Sequence, residues 1–306
     1  MDTSNYSKKN KELINNPLHG IYIPSFFILF GTLLFGWDKV IYGLLFIGLL
    51  MGFRFFQYKL AKGKKRVSAS EFKPFELIDQ TIITKDSAIY RFKLEEDEAL
   101  DIPLGHHLGC SFTAEELSQV TDNVKEDDND VVKYYTPISS KYDKGFFDLL
   151  VKSYPTGTVS KKFASLSVHQ NVKIKGPVGR FDSEKYLTPD HCDKDKKVIL
   201  IAGGSGITPF LRIIIESPMT MNFQLLYYSK TEKDVLLRNE LDQVAEFKDT
   251  FDLKYLYGLL TEENLTENID SSLDKSSSVL ICGPPEFKKL AKKIVEELGF
   301  SETFLF

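Results

Sequence analysis

Residues 203–209 read Gly203-Gly204-Ser205-Gly206-Ile207-Thr208-Pro209 and follow the apolar run Val198-Ile199-Leu200-Ile201-Ala202. A β-branched run ending in clustered glycines, with Thr-Pro opening the next segment, predicts a buried strand, a tight turn and a helix start. Glycines let the backbone approach a ligand closely, and the helix N-terminus behind them offers unpaired N–H groups and a positive dipole end. That combination suits a diphosphate. Pro209 stands where the third glycine of the usual dinucleotide fingerprint would fall, and such turns also join strands to helices without a ligand. The turn alone leaves binding open. A second turn, Cys282-Gly283-Pro284-Pro285, follows the run Ser278-Val279-Leu280-Ile281, with Pro285 suited to a first helical turn.

These turns need a sheet to hold them. From Lys196 onward strands are expected at 198–202, Phe223–Ser229 and Leu253–Tyr257, with helices around 209–216 and 235–247. A last helix carries Phe287, Leu290, Ala291, Ile294 and Leu298 as one apolar stripe. Alternating strands and helices imply a parallel sheet covered on both faces, with ligands at the carboxyl ends of strands near a topological switch point. Both turns lie at such ends. The preceding residues, 68–186, read differently, as short alternating runs such as Ala88–Leu94, Phe146–Val151 and Val172–Lys175. They predict an antiparallel barrel or sandwich. Within them the acidic block 115–130 is expected to be a solvated, mobile loop.

Composition narrows the classes. The chain has 306 residues and a formal net charge of −4, with no basic stripe interleaved with aromatics, which argues against nucleic acid as a partner. Cys110, Cys192 and Cys282 are far apart and lack CxxC spacing, so neither a disulfide framework nor a zinc site is expected. No metal cluster, nucleophile triad or paired-carboxylate hydrolase stands out. After a tail of residues 1–20, residues 21–57 are apolar apart from Asp38-Lys39 and Arg54, without a polar face, and are expected to enter a membrane. A helical hairpin turning at Gly36-Trp37-Asp38-Lys39 is the favoured topology, and a single span with an interfacial remainder is the alternative. Lys8, Lys9 and Lys11 before the segment, and Arg54, Lys59, Lys62, Lys64, Lys65 and Arg66 after its core, put both ends in the cytosol.

From about residue 72 to its end the sequence resembles the NADH–cytochrome b5 reductase family, flavoproteins of the ferredoxin-NADP reductase type, and is most similar to membrane-anchored fungal members. Five spaced motifs carry the resemblance. In Tyr135-Thr136-Pro137-Ile138-Ser139 it implies that Tyr135 covers or bonds the flavin and that Thr136 lies by its N5. Lys152-Ser153-Tyr154 with Gly157-Thr158-Val159-Ser160 is similar to the segment that holds the flavin diphosphate, and Leu150 precedes it in the same strand. The third motif is the glycine turn, implying NADH contacts at Gly203, Gly204, Gly206, Thr208 and Pro209. In Thr231-Glu232-Lys233-Asp234, Asp234 resembles the carboxylate that accepts a ribose hydroxyl and repels a 2′-phosphate. The fifth, Cys282-Gly283-Pro284-Pro285, implies a thiol near the nicotinamide, and Phe306 resembles the aromatic terminus of relatives. Residues 68–186 then become an FAD-binding barrel and 195–306 an NAD-binding domain.

The resemblance departs at Lys133, where Arg is usual, and at Tyr134, where Pro is common. Lys offers a point charge in place of a bidentate fork, so weaker flavin retention is expected. His106 and His107 are adjacent and point to opposite faces of a strand. The resemblance offers His107 a supporting place at the flavin, beside a purely structural one. The implied protein is a membrane-anchored reductase, facing the cytosol and expected at the endoplasmic reticulum. It passes a hydride from NADH to FAD and single electrons to a haem acceptor such as cytochrome b5, with Thr136 and Cys282 at the reacting centre. Two alternatives stand beside it: a related reductase feeding a quinone or metal chelate, and a tethered interaction protein that has lost flavin chemistry.

Overall fold

The structure is a computed structural model and describes residues 22–35, 40–63, 67–122, 124, 129–193, 196–270 and 272–306. The chain divides into two units, Met1–Arg66 and Val67–Phe306. In the first, helix α1 (Tyr22–Phe35) and helix α2 (Val40–Gly63) pack where Gly43 faces Thr32. A Cβ on Gly43 would lie 2.9 Å from Thr32 Cγ2, so the close approach depends on glycine. Phe26, Phe27, Leu45 and Leu49 of these helices are more than half exposed. Among the described residues no helix is long and apolar enough to cross a membrane. The tail 1–20 and the turn expected at 36–39 lie outside the described residues.

The second unit begins with six antiparallel strands: β1 (Lys73–Thr84), β2 (Ser87–Lys93), β3 (His107–Phe112), β4 (Val131–Tyr135), β5 (Phe146–Lys152) and β6 (Asn171–Val178), in the order β4-β3-β6-β1-β2-β5. A bridge from Pro137 to Leu149, with the Ile138 N–H donating to Asp148 O at 3.0 Å, brings the two edges together and closes the barrel. Period-two alternation fills it. Phe75, Leu77, Tyr90, Phe92, Leu108, Cys110, Phe147, Leu149, Val172 and Ile174 all point inward and are buried. Leu150, out of phase with Leu149, packs instead with Ile138 and Phe181 in the core shared with the α/β half.

One expectation for this half is corrected. Residues 115–118 of the acidic block lie in helix α3 (Ala114–Ser118) rather than in a mobile loop. Thr113 Oγ1 accepts from the Glu116 N–H at 3.2 Å, and Glu116 accepts from the Thr113 N–H at 2.7 Å, a capping box. Leu117 then anchors the helix in the barrel core. Glu126, Asp127 and Asp128 lie outside the described residues.

Helix α4 (Val159–Ala164) lies between β5 and β6, and the short helix α5 (Ser183–Tyr186) leads to the α/β half. There β7 (Val198–Gly203) leads through a 3-10 turn (Gly204–Ile207) into helix α6 (Thr208–Glu216). Next come β8 (Phe223–Ser229), helix α7 (Arg238–Phe247), β9 (Phe251–Tyr257), helix α8 (Glu262–Asn268), β10 (Val279–Cys282), helix α9 (Pro285–Glu297) and β11 (Thr303–Leu305). The sheet is parallel in the order β11-β10-β7-β8-β9. Strand order reverses between β7 and β10, and the crevice beyond their carboxyl ends is the switch point where ligands of such sheets bind.

Candidate functional site

The α/β wall of the site is built by two turns in contact. Gly204 has φ +55°, a left-handed value that L side chains avoid, and the space over its Cα is open. A side chain on Gly206 would collide with the Cys282 carbonyl, so only glycine lets the two turns touch. Thr208 Oγ1 donates to Ser205 O at 3.2 Å and secures the start of α6. Burial pushes the Cys282 thiol up to about 12, against the opposing pull of Lys288, so the sulfur stays protonated and is no nucleophile. Phe306 completes this wall. Its N–H donates to Ile281 O at 3.0 Å, and Lys288 Nζ donates to its main-chain oxygen at 2.6 Å.

The barrel supplies the opposite wall. Tyr135, at the end of β4, packs edge-on to Phe163 with centroids 5.2 Å apart, and its phenol is pushed far up by burial. Thr136 Oγ1 lies 3.4 Å from His107 Nδ1. Burial, then the neighbouring His106, lowers His107 below its ordinary 6.5, so the ring is neutral at neutral pH and either group can donate to the other. Its neighbour His106 faces the Leu104 carbonyl instead, at 3.1 Å.

Below these walls lies a polar floor. Ser160 Oγ accepts from the Tyr154 N–H at 3.4 Å, and a Cβ on Gly157 would fill the same space as that hydroxyl. Lys152 Nζ is 3.3 Å from Asp86 Oδ2. Burial alone would raise the Asp86 carboxyl, but hydrogen bonds from Thr84 and the Lys152 charge outweigh it and hold it below the usual range. Tyr154 Oη lies 3.5 Å from Ser205 Oγ, spanning the two halves.

These residues enclose two adjoining clefts. One, of about 460 Å³, is lined by Lys133, Tyr135, Thr136, Leu150, Lys152, Tyr154, Gly157 and Ser160 from the barrel side and by Gly206, Thr208, Cys282, Gly283 and Phe306 from the other. The second, of about 1070 Å³, shares Lys152, Tyr154 and Ser205 with it and adds Gly203, Gly204, Asp234 and Pro284. Asp234 is held below the usual carboxylate range by the Thr231 hydroxyl, which donates to it at 2.7 Å, and then by the charges of Lys152 and Lys85.

Three expected residues do not line either cleft. Pro137 forms the barrel-closing bridge to Leu149. The Ser139 hydroxyl turns inward and accepts from the Asp148 N–H at 3.0 Å. Pro209 is buried in the first turn of α6, where its fixed φ starts the helix. Conversely, Tyr134, Thr158, Val159 and Ser205 line the first cleft, and Asp86, Tyr228, Leu259 and Phe287 the second, though none was singled out as a contact from the sequence. Ser205, Thr158 and Val159 fall inside quoted motifs. Asp86 sits in the β1–β2 turn and reaches the site only through the fold.

A narrow slot with an aromatic and a hydroxyl on one wall, a thiol and glycine backbone on the other, and cationic groups at one end fits a planar ring carrying a diphosphate. Comparison with known proteins gives the same chemistry. Residues 74–183 match the oxidoreductase FAD-binding domain family and residues 200–293 the oxidoreductase NAD-binding domain family. The plasma membrane-associated coenzyme Q6 reductase of Saccharomyces cerevisiae is 35% identical over 94% of this chain and 92% of that protein. NADH-cytochrome b5 reductase 1 of Ajellomyces capsulatus is 33% identical over 98% of this chain and 96% of that protein. Among solved structures, the cytochrome b5 reductase domain of Ulva prolifera nitrate reductase superposes with a TM-score of 0.65 at 26% identity, covering 78% of this chain and 98% of that one.

Proposed function

As the chain belongs to the NADH–cytochrome b5 reductase family of FAD- and NADH-dependent oxidoreductases, we propose that it feeds single electrons from NADH to a haem protein of cytochrome b5 type held in the same membrane. One observation carries this reading: Thr136 on the barrel and Cys282 with Thr208 on the α/β half line one slot. An FAD held there would supply the conversion of a two-electron hydride donor into single electrons. The protein's own part is to bind, orient and exclude water.

The residues present fit that cofactor, since glycine at 157 lets the Ser160 hydroxyl lie close against the loop backbone at the cleft and Lys152 supplies charge beside it. Lys152, paired with Asp86 in the structure, would hold the diphosphate when FAD is bound. The Thr136 hydroxyl, 3.4 Å from His107 Nδ1, would offer a donor to the flavin held in this cleft. The neutral Cys282 thiol and the Gly206 backbone bound the space for the nicotinamide without offering a competing nucleophile. Asp234 accepts a ribose hydroxyl and repels a 2′-phosphate.

Membrane attachment rests on α1 and α2. Phe26, Phe27, Phe30, Leu44, Leu45 and Leu49 are 53–69% exposed, and large apolar side chains left uncovered in this number favour a membrane or partner contact. The Saccharomyces relative is named as plasma membrane-associated, which favours that membrane over the endoplasmic reticulum. Its name also supports a second acceptor, a quinone of the same bilayer. Purified full-length protein should be yellow and bleach anaerobically on adding NADH. Turnover with cytochrome b5 against a short-chain quinone then separates the acceptors. Quinone reduction with none of cytochrome b5 would overturn the haem reading, and a colourless protein that takes up no FAD would overturn both.

A further inference from the structure

Helix α6 carries an ion pair that the chemistry above does not use. Arg212 is 1% exposed, and its Nε donates to Glu216 Oε1 at 2.8 Å, one helical turn on. The Glu216 side chain is itself 4% exposed. Both groups also reach across to the barrel half. Arg212 Nη2 donates to the Ile102 carbonyl at 3.2 Å, and Glu216 Oε1 accepts the Lys141 N–H at 3.0 Å. The Lys141 ammonium is 3.9 Å from Glu216 Oε2. Arg212 Nη1 is buried with no partner.

Stability alone gives little reason for such a pair. Burying two charges carries a desolvation cost that their attraction has to repay, and well-packed apolar residues of similar size often serve a core equally well. Directional bonds to two separate barrel segments are what an apolar pair cannot supply. Those segments matter. Lys141 follows Thr136 by five residues and Ile102 precedes His107 by five, while Arg212 stands one turn beyond Thr208. The pair therefore ties the segments that present Thr136 and His107 to the helix that presents Thr208.

We propose that the Arg212–Glu216 pair is a clamp that fixes the sheet wall of the cleft against the barrel wall, making both side chains positioning residues for hydride transfer from NADH to FAD. This rests on the reductase reading above. Misplacement of reacting atoms by about 1 Å can cost on the order of a hundredfold in rate, so a clamp remote from the chemistry has kinetic weight.

Lys141 offers a test at the surface. It is the second residue of a turn in which the Asp143 N–H donates to Ser140 O at 3.2 Å, a position that accepts proline. Lys141→Pro deletes the N–H given to Glu216, whereas Lys141→Ala keeps it and removes only the ammonium. The limiting rate of flavin reduction by NADH, the NADH Kd, FAD content and Tm are measured for full-length proteins. Lys141→Ala should stay within about twofold of the parent rate, as surface changes do. Lys141→Pro should slow the limiting rate by about tenfold with NADH Kd, FAD content and Tm little changed. The double variant Arg212→Met/Glu216→Leu should show the same slowing with Tm held or raised, and it decides the matter if Lys141→Pro does not fold. Parental rates in the double variant, or slowing only in proportion to lost FAD or Tm, would overturn the clamp. Failure of the parent itself to be reduced by NADH would instead overturn the reductase reading.

Discussion

Asp234 sits partly exposed on the rim of the larger cleft, ionised and aimed by Thr231. A carboxylate there discriminates by repulsion, which needs no burial to act on a dianionic phosphate. Asp234→Ala should shift the ratio of kcat/KM for NADH over NADPH by roughly tenfold or more towards NADPH. An unchanged ratio would mean that this carboxylate does not face the ribose. Thr136→Val keeps the shape of its site but removes the hydroxyl next to His107. Loss of one preorganised donor at a reacting centre costs about 100-fold or more, so flavin reduction should slow by that order with NADH Kd nearly intact. Cys282 gives the opposite expectation. Its thiol is neutral up to about 12, so Cys282→Ala should leave the pH–rate profile without any lost limb between about pH 6 and 9.

At the scale of elements, Lys248 shows how a single cation closes a helix. Its Nζ donates to Ile214 O at 3.2 Å and Pro218 O at 3.1 Å, at the carboxyl end of α6, and lies 4.7 Å from the Phe223 ring centroid. Burial lowers it from 10.5 to about 8. Between those values the unfolded chain holds a proton that the folded one has lost, so stability rises with pH across that window. Thermal melts at about pH 8 and pH 10 should show this gain in the parent and not in Lys248→Met, which should also lose about 1–3 kcal/mol by stranding two carbonyls. The elements themselves were legible in the sequence wherever periodicity spoke. β2, β5, β6 and β7 to β10 fall close to where alternation or β-branched runs placed them, because each buries one face or both. Helix α8 was not legible, since Leu265 is its single buried residue and a Thr261 cap holds the rest. Strand β11 was read only as an aromatic end, because its pairing with β10 is a tertiary fact. The site divides the same way. Local motifs carried Tyr135, Gly157 and Gly206, while Asp86 on Lys152 and Arg212 on Ile102 join residues far apart in the chain and leave no local trace.

For the whole molecule, the division into two units puts both clefts in one and the exposed apolar helices in the other. Residues 67–306 contain the barrel, the sheet, both clefts and their own cores, whereas the exposed apolar surface of α1 and α2 belongs to residues 1–66. The proposed tether would raise the effective concentration of a membrane-bound acceptor. Deleting residues 1–66 should therefore give a soluble yellow protein whose ferricyanide reduction per flavin equals that of the full chain. With the acceptor embedded in vesicles, the truncated form should be slower by about 100-fold at equal enzyme concentration. Equal rates on vesicles would show that α1 and α2 do not tether the enzyme to its acceptor. A colourless truncated protein would show instead that the first unit supports the flavin site, which would move the boundary between location and chemistry into the barrel itself.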